Sequence, residues 1–232
     1  MNILSFGAGV NSTAILALAK EGKMILDKIV FADTGSENPE TYCHIHGLQK
    51  EFDIEVVKRD PGLYDWCIER KIIPTRMLRW CTDKWKIRPI YEKLKEENIE
   101  GYRMVIGFCK GEERRIKNRH EAIYPLIDMG IDREGCKRLI LEQGWTIPPK
   151  SGCFFCPFQP KKEWQALKEN RPDLFDKAVE LEKNCSRNIP NPFTEEIENP
   201  MYLYGDKPLT RFDASQQRFS PLEGYQHCLC GT

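Results

Sequence analysis

Met1-Asn-Ile-Leu-Ser-Phe-Gly-Ala-Gly-Val-Asn-Ser12 decides how the rest of the chain is read. A short apolar strand, Ile3-Leu4, runs into a small-residue turn from Ser5 to Ser12. Apolar residues at Ala14, Ile15, Leu18 and Ala19 then repeat at helical spacing. Strand, glycine-rich turn and helix start together make an anion site. Glycine lets the backbone come close, successive N–H groups point inward, and the helix dipole favours negative charge. Ser12 and Thr13 stand at the helix start, where a hydroxyl caps the helix or meets a phosphate. The turn has neither the Gly-x-Gly-x-x-Gly spacing of dinucleotide sites nor the Gly-Lys-Ser/Thr ending of the common triphosphate loop. It points to phosphate without naming the nucleotide; an ordinary β-to-α turn is the plain alternative.

The 232 residues suffice for one domain, or one domain with an appendage, and for a full core. Lys plus Arg equals Asp plus Glu at 35 each, so overall charge points to neither nucleic acid nor membrane. The local balance differs. Residues 70–88 hold seven Lys/Arg against one acid, and 103–120 hold six against two, whereas 189–232 hold three against six. An anionic substrate is therefore expected in the middle of the chain. No apolar run reaches the ~18 residues of a membrane span. A core strand without a charged lead is not expected to be a signal peptide. Ten cysteines in such a chain suggest a reducing, cytoplasmic compartment, where thiols act as ligands, nucleophiles or small buried groups rather than disulfides.

Downstream, strands and helices alternate. Lys28–Ala32 reads as a buried strand ending at Asp33-Thr34-Gly35, where a parallel sheet meets its ligand. A helix is expected from Pro39 to about Glu51, a strand at 55–58, a helix over Leu63–Arg70 and another over Asp83–Glu97. A fourth strand, Tyr102–Gly107, leads into the polar segment 110–120, and Asp132–Gln143 reads as a helix. A helix from Lys162 to Lys183, broken at Pro172, precedes a Pro-rich tail. The pattern predicts an α/β fold, a doubly wound and mostly parallel sheet, with a C-terminal helical appendage and an irregular tail. The expected division is 1–160 and 161–232.

The cysteines give a second signal. Ser151-Gly-Cys153-Phe-Phe-Cys156-Pro sets a Cys-x-x-Cys in a turn, a spacing that brings two thiolates to one metal or cluster, with Cys81 as a third candidate. Spacing leaves an iron–sulfur cluster, a redox dithiol, structural zinc and a buried inert pair all open. The remaining internal cysteines, scattered singly, read as core or surface thiols.

Six short motifs in order resemble the phosphoadenylyl sulfate (PAPS) reductase family of the PP-loop, adenine-nucleotide α-hydrolase-like group. Ser5-Phe-Gly-Ala-Gly-Val-Asn-Ser12 lies on that group's Ser-Phe-Ser-Gly-Gly-Lys-Asp-Ser loop. Asp33-Thr-Gly35, Glu37 and Pro39-Glu-Thr41 resemble its Asp-Thr-Gly…Pro-Glu-Thr stretch. Cys81-Thr and Lys86-Ile-Arg-Pro89 are similar to its Cys-x-x-x-x-Lys-Val-x-Pro segment. Gly107 with Glu113-Arg114 resembles a Gly-x-Arg…Glu-Ser-x-Arg loop, and Tyr124-Pro-Leu-Ile-Asp128 a Tyr-Pro-Leu-x-Asp-Trp with Met129 for Trp. Gly152-Cys153…Cys156 falls where members carry Gly-Cys-x-x-Cys.

The resemblance implies an adenine nucleotide at the strand edge. Ser5, Gly7, Gly9, Asn11 and Ser12 would cradle a phosphate or sulfate, and Asp33, Thr34, Gly35 and Gly107 would lie near the nucleotide. Lys86, Arg114 and Arg115 would neutralise the anionic group. It also implies a [4Fe-4S] cluster, which adenylyl sulfate (APS) reductases hold on a Cys-Cys pair and a downstream Cys-x-x-Cys. Here Trp80-Cys81 replaces the pair, leaving Cys81, Cys153 and Cys156, with Cys228 as a candidate fourth ligand or one iron left open. The end, Cys228-Leu-Cys230-Gly-Thr232, resembles the mobile Cys-Gly tail whose thiolate attacks the bound sulfonucleotide, making Cys230, or Cys228, the candidate nucleophile.

Two activities are compatible with these residues. One is reduction of APS or PAPS to sulfite with a thioredoxin-like reductant. The other is an ATP-dependent reaction that adenylylates a nucleobase of RNA, DNA or a small molecule and moves sulfur through a three-cysteine cluster. A non-catalytic nucleotide-binding redox sensor is a third reading. A homodimer sharing the tail would suit the family.

Overall fold

The computed structural model describes residues 1–77, 79–116, 121–190, 197 and 199–212. Five parallel strands form one sheet in the order β3-β2-β1-β4-β5: β1 Asn2–Phe6, β2 Lys28–Asp33, β3 Ile54–Lys58, β4 Arg103–Val105 and β5 Ala122–Ile123. The chain winds outward from β1 to β3, returns to the other side of β1 as β4 and continues to β5. The crevice between the C-terminal ends of β1 and β4 is therefore the point where an open α/β sheet takes its ligand. Ile3, Leu4, Val30 and Val105 are wholly buried, as a strand covered on both faces requires. β5 pairs only through Met104–Ala122 and Val105–Ile123; two residues carry too little pattern to be read as a strand from sequence.

The helices are α1 Val10–Lys20, α2 Pro39–Leu48, α3 Leu63–Arg70, a single turn α4 Trp80–Thr82, α5 Arg88–Glu96, α6 Pro125–Asp128, α7 Arg133–Glu142, α8 Lys161–Asn170 and α9 Pro172–Asn184. The helix expected over Asp83–Glu97 is instead α4, a π-helical turn over Asp83–Ile87, and α5. Pro89 sits in the first turn of α5, where its missing N–H costs nothing. The π turn carries Lys86, and π turns often mark functional segments. Pro172 starts α9 where it breaks α8.

One core joins β1, α1 and α7 (Leu4, Phe6, Ile15, Leu18, Cys136, Ile140). A second core gathers α3, Trp85, the Cys-x-x-Cys loop and α8–α9 (Cys67, Trp85, Phe155, Trp164, Phe175, Leu181). The C-terminal helices thus share a core with α3 and the cysteine loop. Glu182 ties the following segment down by accepting from the backbone N–H groups of Leu203 and Leu209 at 2.8 and 2.7 Å. Among the described residues no helix is long and apolar enough to cross a membrane.

Candidate functional site

The turn after β1 is held tightly. Ala8 has φ of +53°, a conformation that costs an L-residue roughly 1–2 kcal/mol, and Gly7 and Gly9 flank it. Gly9 caps α1, and the Ser12 hydroxyl closes the turn by accepting from the Gly9 N–H at 3.3 Å and donating to its carbonyl at 3.1 Å. Gly107, just past β4, lies against this turn. A Cβ there would come within 3.0 Å of Ser12 N and 3.2 Å of Asn11 C, so the close approach demands glycine.

Asn11 is the hub of the turn. Its Nδ2 donates to the Gly107 carbonyl at 3.0 Å and to Glu112 Oε2 at 2.8 Å, and its Oδ1 accepts from Arg133 Nη1 at 2.7 Å. Arg115 pairs with Glu112 and lies over the Phe108 ring at 4.3 Å. Arg114 is exposed. Burial works against the Glu112 charge, but the Cys109 N–H and Arg115 outweigh it and hold its carboxyl below the usual range.

On the other side, Asp33 ends β2. Its Oδ1 accepts from the Gly35 N–H and from Tyr42 Oη, both at 2.7 Å. Gly35, at φ +69°, turns the chain against Gly62. Thr34 Oγ1 donates to Glu37 Oε1 at 3.2 Å and lies 3.3 Å from Cys153 Sγ. Glu37 and Cys153 form a β-bridge, and the Phe154 N–H donates to the Ser36 carbonyl at 3.0 Å. These bonds dock the Cys-x-x-Cys loop onto the strand edge. Cys153 therefore stands beside Asp33-Thr34, although 119 residues separate it from Thr34.

Lys86 is paired with Glu37, whose side chain is fully buried, at 2.8 Å. The anion that Lys86 meets is thus one of the protein's own, and Glu37 Oε2 has no hydrogen-bond partner. Burial acts to lower the Lys86 pKa, yet Glu37, Cys153 and Cys156 more than reverse this and raise it. The lysine charge also acts on Cys81, so all three thiols share one cation. Burial pushes each thiol above its ordinary range. Among the described residues no three His, Cys, Asp or Glu side chains converge as ligands of a single metal ion. Cys228 and Cys230 lie outside the described residues.

A cavity of about 340 Å³ opens beside the turn, with Cys153 and Cys156 in its wall. Four helix starts border it: Val10 of α1, Asn38 at the cap of α2, Arg133 of α7 and Lys162 of α8. Their dipoles add to the charges of Arg133, Lys137, Lys150 and Lys162. Lys150 is matched by Glu163 at 2.8 Å and Lys137 by Glu134 at 2.7 Å, and the other acid in the wall is Glu40. The wall is therefore electropositive, with two thiols in it.

The fold gathers Ser5–Ser12, Asp33–Gly35, Gly107 and the Cys153/Cys156 pair at one edge of the sheet. Sequence reading missed Arg133 and Lys137. The signal was present in part: a cation at the first position of a helix opposes the dipole and gains nothing in stability. Arg133 follows the N-cap Asp132 in that unfavourable position.

Two uncharacterized proteins of Methanocaldococcus jannaschii are similar in sequence. One is 29% identical over 199 residues, covering 77% of this chain and 47% of the relative. The other is 26% identical over 202 residues, covering 75% and 40%. The chain thus spans about half the length of the curated relatives it matches. Among solved structures, the crystal structure of a PAPS reductase from Candida auris in its phosphate complex is 15% identical with a TM-score of 0.49, covering 66% of this chain and 79% of that one. The family model described as the phosphoadenosine phosphosulfate reductase domain matches residues 1–140, from β1 through most of α7. With more than half of its length matched, the chain belongs to the phosphoadenosine phosphosulfate reductase domain family.

Proposed function

We propose that the protein is a sulfonucleotide reductase that binds APS or PAPS along the C-terminal edge of the sheet and reduces its sulfur to sulfite. The observation that carries this reading is the cavity, in which two cysteines share a wall with four helix starts and Arg133, Lys137 and Lys162. A sulfonucleotide needs cationic groups for its oxyanions, and the cavity supplies them beside the Cys153/Cys156 pair, which this reading takes as cluster ligands. The adenosine would lie at Asp33-Thr34 and Gly107, with the phosphate at the Gly7–Ser12 turn. In the reaction, a thiolate of Cys230 or Cys228 attacks the sulfur, the sulfur–oxygen bond to the nucleotide breaks, and the nucleotide phosphate leaves with the electron pair. A thioredoxin-class dithiol then attacks the resulting cysteine thiosulfonate, releases sulfite and is left as the disulfide.

We read Cys81, Cys153 and Cys156 as the residues that would hold three corners of a [4Fe-4S] cluster: they are half-buried thiols around one cation, Lys86, which acts against the upward push of burial on each. Such a cluster would supply sulfur affinity and electrostatic stabilisation beside the substrate sulfate.

A second reading, ATP-dependent adenylylation of a nucleobase followed by sulfur movement, is favoured by one observation. The cysteine at position 81 stands alone beside Trp80, with Trp66 and Trp85 packed on that ring at 5.2 and 6.1 Å. No second thiol adjoins Cys81 in this turn, so a cluster held by Cys81, Cys153 and Cys156 would have three protein thiolates and would supply sulfur affinity in that reaction.

The deciding experiment incubates anaerobically purified protein with APS, PAPS or ATP and follows sulfite and pyrophosphate. Sulfite from a sulfonucleotide, lost in Cys230→Ser with or without Cys228→Ser, supports the reductase. Pyrophosphate without sulfite replaces it with the second reading. Iron and sulfide are quantified on the same sample. Cys81→Ser, Cys153→Ser and Cys156→Ser should each lower both, and full iron in all three variants would refute the cluster.

A further inference from the structure

We infer that Asn11 sets the charge of the cavity: by holding Arg133 with a neutral amide oxygen, it leaves the guanidinium charge uncompensated for a phosphate or sulfate group of the substrate. The inference rests on the reading of the cavity as the anion end of the nucleotide site.

Three observations carry it. Arg133 lines the cavity, and its Nη1 donates to Asn11 Oδ1 at 2.7 Å. Second, the acceptor on Asn11 is an amide oxygen, whereas a carboxylate at the same 2.7 Å would neutralise Arg133 through a charge-assisted bond. Finally, Asn11 Nδ2 donates to Glu112 Oε2 at 2.8 Å, a contact that only a donor can make. An Asp at position 11 would face the Glu112 carboxylate across that distance, and like charges so close cannot both stay ionised without cost. Asn11 and Glu112 are thus a matched pair. The carboxylate sits one side chain further from the cavity, is engaged by Arg115, and leaves Arg133 to the ligand.

The consequence is an Arg133 guanidinium free to pair with an oxyanion ligand in the cavity. Asn11 is a positioning residue, acting through Arg133, which lies one turn before Lys137 on the same face of α7. The ligand chemistry is a tetrahedral oxyanion, which a nucleotide phosphate or a free inorganic ion can supply.

The test measures binding, not turnover. Inorganic phosphate, AMP and adenosine 3′,5′-bisphosphate are titrated calorimetrically into the full chain at two salt concentrations. Asn11→Asp should weaken all three by about tenfold or more, the scale of one charge-assisted contact, and flatten the salt dependence. The double variant Asn11→Asp/Glu112→Gln removes the carboxylate clash and keeps the fold testable; it should remain weak. In an Arg133→Gln background, Asn11→Asp should have no further effect. Equal affinity of the parent and the double variant for every one of the three ligands that the parent binds would overturn the inference. So would an undiminished Asn11→Asp effect without Arg133, or a parent that binds none of the three ligands. Weakening confined to the nucleotides would place the oxyanion on the nucleotide, and weakening of inorganic phosphate as well would show a site that takes the free ion; both support the role of Asn11. Sulfite release is independent of these readouts. Its absence with intact phosphate binding counts against the reductase alone.

Discussion

Replacing Lys86 with Met separates two roles for that residue, substrate ligand or partner of a buried acid. Glu37 is fully buried, with one oxygen on Lys86 and Thr34 and the other without a partner. Removing the ammonium leaves a carboxylate in a site where only the Thr34 hydroxyl still donates to it. Breaking a buried pair costs about 3–5 kcal/mol, and the partial exposure of Lys86 places the effect near the lower end, about 3 kcal/mol. For a chain of this length, that corresponds to a fall in Tm of roughly 6–12 °C. Glu37→Gln in the same background removes the stranded charge and should restore half or more of the loss. The assay is thermal unfolding followed by circular dichroism at neutral pH under reducing, anaerobic conditions, with nucleotide affinity measured on the folded protein. Lys86→Met within 0.5 kcal/mol of the parent, with nucleotide affinity lost, would refute the pairing argument and return Lys86 to the substrate. A double variant no more stable than the single one would refute it equally.

Two further outcomes follow from the geometry. Gly107→Ala drives a Cβ to 3.0 Å from Ser12 N, against backbone that has nowhere to go; it should cost about 1–3 kcal/mol and sharply weaken nucleotide binding, and a variant with unchanged affinity would show that β4 need not touch the turn. Burial holds the His44 imidazole down at about 4, and its Nε2 lies 3.0 Å from Thr13 Oγ1 in α1. The folded state therefore favours the neutral ring, so this contribution is complete above the ordinary value near 6.5 and is lost as the pH falls from there to about 4. It is worth up to about 3 kcal/mol, and urea denaturation at a series of pH values should show a slope over that window that His44→Gln removes.

The chain's own order of residues determined a good deal. The apolar run at Ile3-Leu4, the glycine turn and the helical spacing beyond it specify a β–α unit, because period and turn chemistry are local properties. The N-cap at Asp132 and Pro at the starts of α2 and α9 likewise mark helix boundaries with mechanisms that act within one turn. The motif resemblance implied a nucleotide near Asp33 and Gly107, while the docking of the Cys-x-x-Cys loop on the same edge came from its bonds to Thr34, Ser36 and Glu37.

What tertiary structure alone decided was the use of each charge. Lys86 and Arg115 sit in basic stretches that the sequence marks as anion-seeking, yet Glu37 and Glu112 occupy them. Pairing depends on which distant side chain the fold brings within 3–4 Å, and 49 residues separate Glu37 from Lys86. Of the cations that line the cavity, Lys137 and Lys150 are likewise matched, by Glu134 and Glu163, whereas Arg133 is held by the Asn11 amide oxygen, and Arg133 and Lys162 come from helices whose sequences show only charged faces. Asn11 reads as a lost carboxylate in the loop; in the fold it is the atom pair that joins α1, the β4 loop and α7. Strand and helix identity follows from neighbours along the chain, whereas electrostatic role follows from neighbours in space, and only packing supplies those.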